Sequence, residues 1–206
     1  MSQFEGWAIR PVSYTEAMRV VVERHYLHRK APCSVAFGLF DPDGEMKGVI
    51  CYGTPSSAPL RSGIAGPENA LNVIELTRLW VDDSVPKNGE SYLIGNTLRL
   101  SGKEIVVSFA EIEQGHVGTV YQATNWLYTG LSAKRSDWHV EGIEKHGQTW
   151  ADSRTVKEMR EEFGERFSLK PRPRKHRYVF LNADRRRKRE LLASLRYALE
   201  PYPKKA

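Results

Sequence analysis

Apolar positions alternate along some stretches of this chain and recur at helical spacing along others, and the two patterns divide it into elements. Trp7 to Val12 reads as a first strand, with Pro11 near its end. Ser13-Tyr14-Thr15-Glu16 has the spacing of a capping box, which predicts a helix from about Tyr14 to His25. Ser34 to Phe40 and Lys47 to Tyr52 are β-rich runs around Asp41-Pro42-Asp43-Gly44, a hairpin signal. Residues 54–72 are rich in Pro, Gly and Ser and read as a long loop. Val73 to Val81 is the next strand, followed by a helix from about Glu90 to Leu100 and a short apolar strand, Ile105 to Ala110. Val117, Val120, Tyr121, Thr124, Leu127 and Tyr128 have helical spacing, predicting a helix over 115–128 that Gly130 ends. Trp138 to Ile143 is a weak strand, Ser153 to Phe163 a capped helix, Arg177 to Leu181 the last strand and Arg185 to Leu199 a terminal basic helix. This order predicts a mixed α/β fold in one domain over residues 1–206, of which 182–206 form a basic tail. The hairpin makes part of the sheet antiparallel, and the later strand–helix units place a parallel pair in its centre.

With 40% hydrophobic and 27% charged residues in 206, the composition is that of a soluble globular protein. No apolar run approaches the length of a membrane-spanning helix, so no membrane partner is expected. The N-terminal stretch lacks the apolar core of a signal peptide. Cys33 and Cys51 are the only cysteines and lack metal-like spacing, which suggests a reducing cytoplasm. The formal net charge is +6, and it is uneven. Arg172, Arg174, Lys175 and Arg177 form one basic cluster, and Arg185, Arg186, Arg187, Lys188 and Arg189 form another. Clusters of this density favour phosphate contacts, which position a nucleic acid without reading its sequence.

The strand 73–81 carries charge where a core strand is apolar. Glu75 and Arg78 lie among Ile74, Leu76, Leu79, Trp80 and Val81. Burying either costs several kcal/mol unless it is paired, so the strand reads as the lining of a site. Strict alternation would put the two on opposite faces, each needing its own partner. Glu75 is a candidate general base. Ser108 interrupts an apolar strand, and Tyr52 stands at a strand end before a Gly-Thr-Pro turn, placed to stack on a base. Trp126 and Tyr128 read as core. The loop Asp82 to Gly89 delivers a helix N-terminus, a ready anion site. His25 and His28 are spaced for a shared metal or a phosphate, but two histidines alone define no site.

Glu75-Leu76-Thr77-Arg78-Leu79-Trp80-Val81, with the loop and helix after it, resembles the central strand of the GNAT acyltransferase fold. Ile9-Arg10-Pro11 and Tyr121-Gln122-Ala123-Thr124-Asn125-Trp126, with Tyr128 and Gly130, are similar to other landmarks of that fold. More specifically, the chain resembles the Mom family of phage DNA-modification proteins. Segments 75–91, 106–111, 118–130, 175–181 and 195–205 carry the resemblance, with 25–29 and 51–55. It implies a GNAT-like mixed sheet flanked by helices. It also implies conversion of the N6 amine of adenine in double-stranded DNA to a carbamoylmethyl (acetamido) amine. That modification protects DNA from restriction enzymes in the cytoplasm of a bacterial host.

On this resemblance Glu75, Arg78, Ser108, Tyr121 and Tyr52 are the candidate catalytic residues, Tyr121 as an acid near the leaving group. Val81, Lys87, Asn88, Gly89, Ser91 and Asn125 are the candidate donor-binding residues, and the two basic clusters the DNA contacts. The pyrophosphate loop of ordinary GNAT enzymes is absent. Val85-Pro86-Lys87-Asn88-Gly89-Glu90-Ser91 stands in its place, and Glu90 would oppose a phosphate. Acyl transfer alone would give an amide. The expected donor is therefore acyl-CoA-like or of an aminoacyl type such as glycyl, with a further step or a metal, iron among the candidates. The competing readings are a GNAT N-acyltransferase on a small amine or protein, and a non-catalytic DNA-binding protein.

Overall fold

The computed structural model describes residues 3–144, 150–151 and 153–205. The predicted capping box closes: Glu16 N donates to Ser13 Oγ, and Ser13 N donates to the Glu16 carboxylate. It starts α1 (Tyr14–Arg24), which follows β1 (Ala8–Val12). The expected hairpin is β2 (Val35–Phe40) and β3 (Met46–Gly53). Then come α2 (Ala58–Ala65), β4 (Val73–Val81), α3 (Gly89–Thr97), β5 (Ile105–Glu111), α4 (Thr119–Ala123) and β6 (Leu127–Leu131). The chain ends with β7 (Arg135–Val140), α5 (Val156–Phe163), β8 (Phe167–Arg172), β9 (Lys175–Leu181) and α6 (Arg185–Ser194).

Seven strands form one sheet in the order β1-β2-β3-β4-β5-β9-β6, and β7 and β8 form a separate ribbon. Only β4 and β5 pair in parallel. This is a mixed sheet flanked by helices, as the resemblance implied. One face carries α3 and α4 over Phe37, Leu39, Ile50, Leu76 and Val106. The other carries α1 over Ala36, Val49 and Cys51, and α2 and α6 over Val73, Ile105, Val107 and Val179. The ribbon and α5 enclose a small core of their own, around Met159 and Phe167.

Four features depart from the predicted elements. The 54–72 loop contains α2, whose Ser57 cap accepts from Leu60 N, and a 3-10 turn, Pro67–Asn72. Its Pro, Gly and Ser residues start and stop these helices. The helix expected over 115–128 stops at Ala123. Asn125, at φ 60°, reverses the chain, and Leu127–Leu131 pairs with β9 instead. Gly118 stands at φ 76°, where a Cβ would also run into the Tyr178 ring. Strand β8 lies in a stretch with no strand signal. The basic helix ends at Ser194, and a strap follows. Arg196 N donates to Ile64 O, Glu200 N to Tyr128 O and the Tyr202 hydroxyl to Trp126 O. Pro201 and Pro203 cannot donate to a helical ladder, which suits an extended path.

The pairing of β3 with β4 contains the feature that shapes the site. Tyr52 lies opposite Leu76 and Cys51 opposite Arg78, so Thr77 is an extra residue, a β-bulge. The Thr77 hydroxyl sits 2.9 Å from Pro32 O and 3.2 Å from Cys51 O. The bulge corrects the strict alternation expected for this strand. Glu75 lies opposite Gly53 and Arg78 opposite Cys51, and Gly53 and Cys51 share a face, so Glu75 and Arg78 share it too. Pairing of β4 with β5 covers only Val73–Glu75 against Ile105–Val107, after which the two strands part.

Tyr52 does not stack on a ligand. It is 0% exposed, and its hydroxyl bonds Thr97 Oγ1 at 2.8 Å, tying β3 to α3. Tyr52→Phe should lower stability by about 1 kcal/mol, the net worth of a typical hydrogen bond. Urea unfolding should show a lower midpoint at constant slope, and an unchanged midpoint would deny that bond any net contribution.

Candidate active site where two strands part

Beyond Glu75 the gap between β4 and β5 opens into a cavity of about 450 Å³. The register assigns its residues to opposite faces of the sheet. Glu75 faces with Val107 and hence with Phe109, whereas Leu76 and Ser108 face the other way. The gap joins the two faces, so Glu75 and the Ser108–Tyr121 pair line one cavity.

Glu75 makes no hydrogen bond or ion pair among the described residues. Burial pushes its carboxyl above the usual range, and the nearby Lys175 and Arg78 charges only moderate the shift. A carboxylate so placed is a stronger base than an exposed one. Arg78 donates from Nη1 to Thr77 O at 2.6 Å and from Nη2 to Lys30 O at 3.5 Å. Its Nε is buried without a partner. Ser108 Oγ lies 2.8 Å from the Tyr121 hydroxyl and 3.0 Å from Leu76 O. Ser108 has one proton to give, so when Leu76 O takes it, Tyr121 donates to Ser108. Burial pushes the Tyr121 hydroxyl up to about 12, which keeps its proton at neutral pH.

The cavity also gathers His116, a weak candidate from its place before a Gly-rich helix start, and residues not singled out as candidate site residues: Tyr26, Glu111 and, from the C-terminal strap, Lys205. The only signal of these three in the sequence was residue type, because they converge from three separate segments. Tyr26 lies between the two histidines noted earlier and stacks on His25 with ring centroids 4.4 Å apart. His25 is buried, and burial lowers its pKa to about 4. Its Nδ1 accepts from Leu27 N at 3.1 Å, so the neutral ring carries its proton on Nε2. His28 turns away, its Nδ1 3.0 Å from Val22 O. His25 and His28 gain no further ligand: among the described residues no three His, Cys, Asp or Glu side chains converge as a metal site.

The expected donor cradle is built differently. Of its six residues only Val81 lines the cavity. Lys87 O is taken by the Gln3 side chain, and Ser91 Oγ donates to Asn88 O. Asn125 is exposed in its turn. A Cβ on Gly89 would meet the Val85 and Val81 side chains, so that glycine serves packing. Glu90 stands in the first turn of α3 and lines the cavity. A carboxylate there opposes the helix dipole's pull on anions, and the environment does not fit a pyrophosphate.

The basic clusters divide by what each side chain touches. Arg177 is 7% exposed, donates to Thr129 Oγ1 and O, and lies 3.4 Å over the Tyr197 ring, so it is internal. Arg187 clasps the Glu104 carboxylate and Asn69, stapling α6 to the body. Arg174 donates to Ser132 O and Leu131 O, Lys175 pairs with Glu111, and Arg186 with Glu190. Arg185 and Arg189 are exposed and make no hydrogen bond or ion pair among the described residues. Lys188 is exposed with its ammonium 5.8 Å from the Phe180 ring centroid, and Arg172 has only a 3.9 Å pair with Asp137. Arg172 lines a second cavity, of about 330 Å³, that shares Glu75, Phe109 and Lys175 with the first.

Glu75 is held at a cost in stability. Its folded pKa lies above the ordinary 4.5, so its contribution is complete at low pH and lost as pH rises through the raised value. Glu75→Gln has no charge to bury. The variant should match the native chain near pH 4.5 and become more stable than it as pH rises to about 8. Urea midpoints at the two pH values measure this, and a variant that loses stability at the higher pH would show the carboxylate to be a structural anchor.

Among solved structures the chain is similar to a spermidine N-acetyltransferase from Vibrio cholerae, with a TM-score of 0.47, 8% identity and coverage of 86% of this chain and 95% of that one. It is likewise similar to the ribosomal-protein-S5-alanine acetyltransferase from Vibrio fischeri, with a TM-score of 0.49, 10% identity and coverage of 88% and 96%. In sequence it is 27% identical over 212 residues to the methylcarbamoylase mom of Escherichia phage Mu, covering 95% of this chain and 83% of that protein. Residues 6–204 match the Mom family as a whole, and with nearly the full length matched the chain belongs to the Mom protein family.

Proposed function

We propose that this chain is a DNA-modifying transferase that converts adenine to its N6-carbamoylmethyl derivative in double-stranded DNA, shielding that DNA from restriction enzymes. The observation that carries the reading is Glu75: a half-buried carboxylate without a hydrogen-bond or ion-pair partner among the described residues, at a gap whose other side presents a protonated Tyr121. A protein that only bound DNA would have no use for that costly arrangement. Membership of the Mom family and the similarity to a methylcarbamoylase support a modifying transferase.

The N6 amine is a weak nucleophile, because its lone pair is delocalised into the purine ring. As the new N–C bond forms, one N–H bond breaks and Glu75 takes the proton. The donor's leaving group departs with the electron pair of the broken bond and receives a proton from Tyr121, whose hydroxyl turns from Ser108 to deliver it while Ser108 stays bonded to Leu76 O. The Arg78 guanidinium, its Nε unpartnered, stabilises negative charge building on the donor. The α3 N-terminus does not fit a pyrophosphate, so an aminoacyl-type donor suits the cavity better than acyl-CoA. A glycyl group and a carbamoylmethyl group are isomers, which makes such a donor chemically sufficient in atoms. A rearrangement would still separate the two.

Nucleosides from the DNA of cells expressing the protein should include an adenine derivative heavier by C2H3NO. Fragmentation distinguishes the carbamoylmethyl amine from the isomeric glycyl amide, which mass alone does not. Glu75→Gln and Arg78→Ala should abolish the product. Tyr121→Phe should slow its formation by roughly a hundredfold, the lower end for loss of a positioned acid. Activity should rise with pH through a carboxyl pKa above the ordinary range, as Glu75 loses its proton. Unmodified DNA alongside folded, soluble protein would overturn the assignment.

DNA binding should weaken with salt. Arg185→Gln and Arg189→Gln together should reduce the slope of log K against log salt by roughly 1.8, at about 0.9 per phosphate contact. Arg187→Gln should instead lower stability, because its partners are Glu104 and Asn69. Titrations at several salt concentrations separate the two effects. A slope unchanged by the double substitution would remove α6 from the DNA interface.

A further inference from the structure

The second cavity, on the Glu75 face of the sheet, has no part in the chemistry described so far. It lies between α2, the base of the β7–β8 ribbon and the Glu75 face of β5, and holds about 330 Å³. Arg135, Arg172, Lys175 and Arg177 line it, against Glu75 as its one carboxylate. The larger cavity has Glu75, Glu90 and Glu111 to offset its cations; at the smaller one Lys175 is paired with Glu111 and Arg177 is spent on Thr129, which leaves Arg135 and Arg172 as its outward cations.

The ribbon's register sharpens this. Arg135 and Arg172 lie directly opposite each other across β7 and β8. Like charges at opposed positions destabilise a ladder unless an anion sits between them. Among the described residues the Asp137 carboxylate is 3.9 Å from Arg172, and Arg135 reaches Ser57 Oγ at 3.4 Å. Among those residues both guanidiniums keep donors without a partner. Inside, Phe109 and Tyr197 offer aromatic surface, Ser57 and Ser132 hydroxyls, and Glu75 stands at the inner end, shared with the larger cavity.

Resting on the function proposed above, we infer that the smaller cavity is the pocket for the extruded adenine. Arg135 and Arg172 hold the phosphates on either side of the extruded nucleotide, and Phe109 provides a stacking face for the base. The N6 amine then reaches Glu75 from one face of the sheet, while the donor occupies the larger cavity and approaches through the gap from the Ser108–Tyr121 face. The two substrates never compete for the same space.

The test uses the full chain and a DNA duplex carrying 2-aminopurine at the target position, whose fluorescence rises when the base leaves the stack. Ala133→Trp fills the smaller cavity from an exposed rim position, and Thr119→Trp fills the larger one from an exposed position on α4. Circular dichroism checks that both fold, and the pair Arg135→Gln with Arg172→Gln tests the mouth without adding bulk. Ala133→Trp should reduce the fluorescence rise and the yield of modified nucleoside by tenfold or more. Thr119→Trp should keep the fluorescence rise and lose the product. The double glutamine variant should raise the KM for DNA at nearly unchanged kcat and flatten the salt dependence of binding. Extrusion lost with Thr119→Trp and kept with Ala133→Trp would place the base in the larger cavity and overturn the inference. Modified nucleoside formed as in the native chain by both Ala133→Trp and the double variant would also overturn it, leaving the proposed function standing. Absence of modified nucleoside from the native chain would instead sink the function on which the inference rests.

Discussion

One residue too many in β4 sets the geometry on which the site depends. Without the bulge at Thr77, the opposed positions of β3 and β4 would keep step, and Glu75 and Arg78 would face opposite sides of the sheet. With it, the carboxylate and the guanidinium share the face that also carries Phe109. The neighbouring strand responds to the same distortion. A bulged strand bends and twists more strongly, and β4 leaves β5 after three residue pairs. The parting frees backbone groups that a continued ladder would have consumed, and Leu76 O is one of them: Ser108 reaches it across the gap at 3.0 Å. An irregularity in hydrogen bonding thus becomes a passage between the two faces of a sheet.

The surroundings of the gap are correspondingly rigid. Tyr121, Tyr128, Tyr178 and Trp126 form a continuous aromatic cluster, with ring centroids 5.1 Å apart for Tyr121–Trp126 and Tyr121–Tyr178. The Tyr178 hydroxyl donates to Val117 O and Gln122 Nε2 donates to the Tyr178 hydroxyl, fixing the short helix that presents Tyr121. The C-terminal strap closes over the same cluster: Gln122 Nε2 also reaches Pro203 O at 3.2 Å, and Tyr202 holds Trp126 O. Aromatic packing of this kind stabilises well beyond the area it buries. It offsets a half-buried carboxylate and an arginine Nε without a partner among the described residues, both lining the same cavity as Tyr121.

The sequence disclosed most where local chemistry alone decides. Ser13 and Glu16 specified the start of α1, and the apolar runs on either side of Asp41–Gly44 specified the hairpin, because caps and turns are settled within a few residues. It misled where tertiary pairing overrode periodicity. Leu127 and Tyr128 continue a helical pattern, yet they are strand residues, since β9 offers an open edge and Asn125 can adopt positive φ. Tyr52 shows the limit for single side chains. Its strand-end position suggested access to a ligand, but only the fold shows α3 crossing above it with Thr97 aimed at its hydroxyl. Glu75 was legible as an anomaly, a carboxylate in an apolar strand, whereas its sharing of a face with Arg78 was not, because a bulge leaves no compositional trace.

The basic clusters carry the same lesson into electrostatics. A run of cations in sequence states how much charge is near, and nothing about how much is free. Arg177 faces inward on β9 and spends its donors on Thr129, while Arg174, three residues earlier, spends its own on the carbonyls of Leu131, at the end of β6, and Ser132. On α6 the helical period separates Arg187, which faces Glu104, from Arg185 and Arg189, which face water. The cations that remain available therefore come from different segments: α6, the start of β7 and the end of β8. The ribbon that supplies the last two was barely visible in sequence, because one of its strands is mostly exposed and polar. Its pairing nevertheless sets Arg135 against Arg172, two like charges directly opposed, with the Asp137 carboxylate 3.9 Å from Arg172. A polyanion would be drawn to that corner and would arrive beside the carboxylate that the bulge has turned toward it.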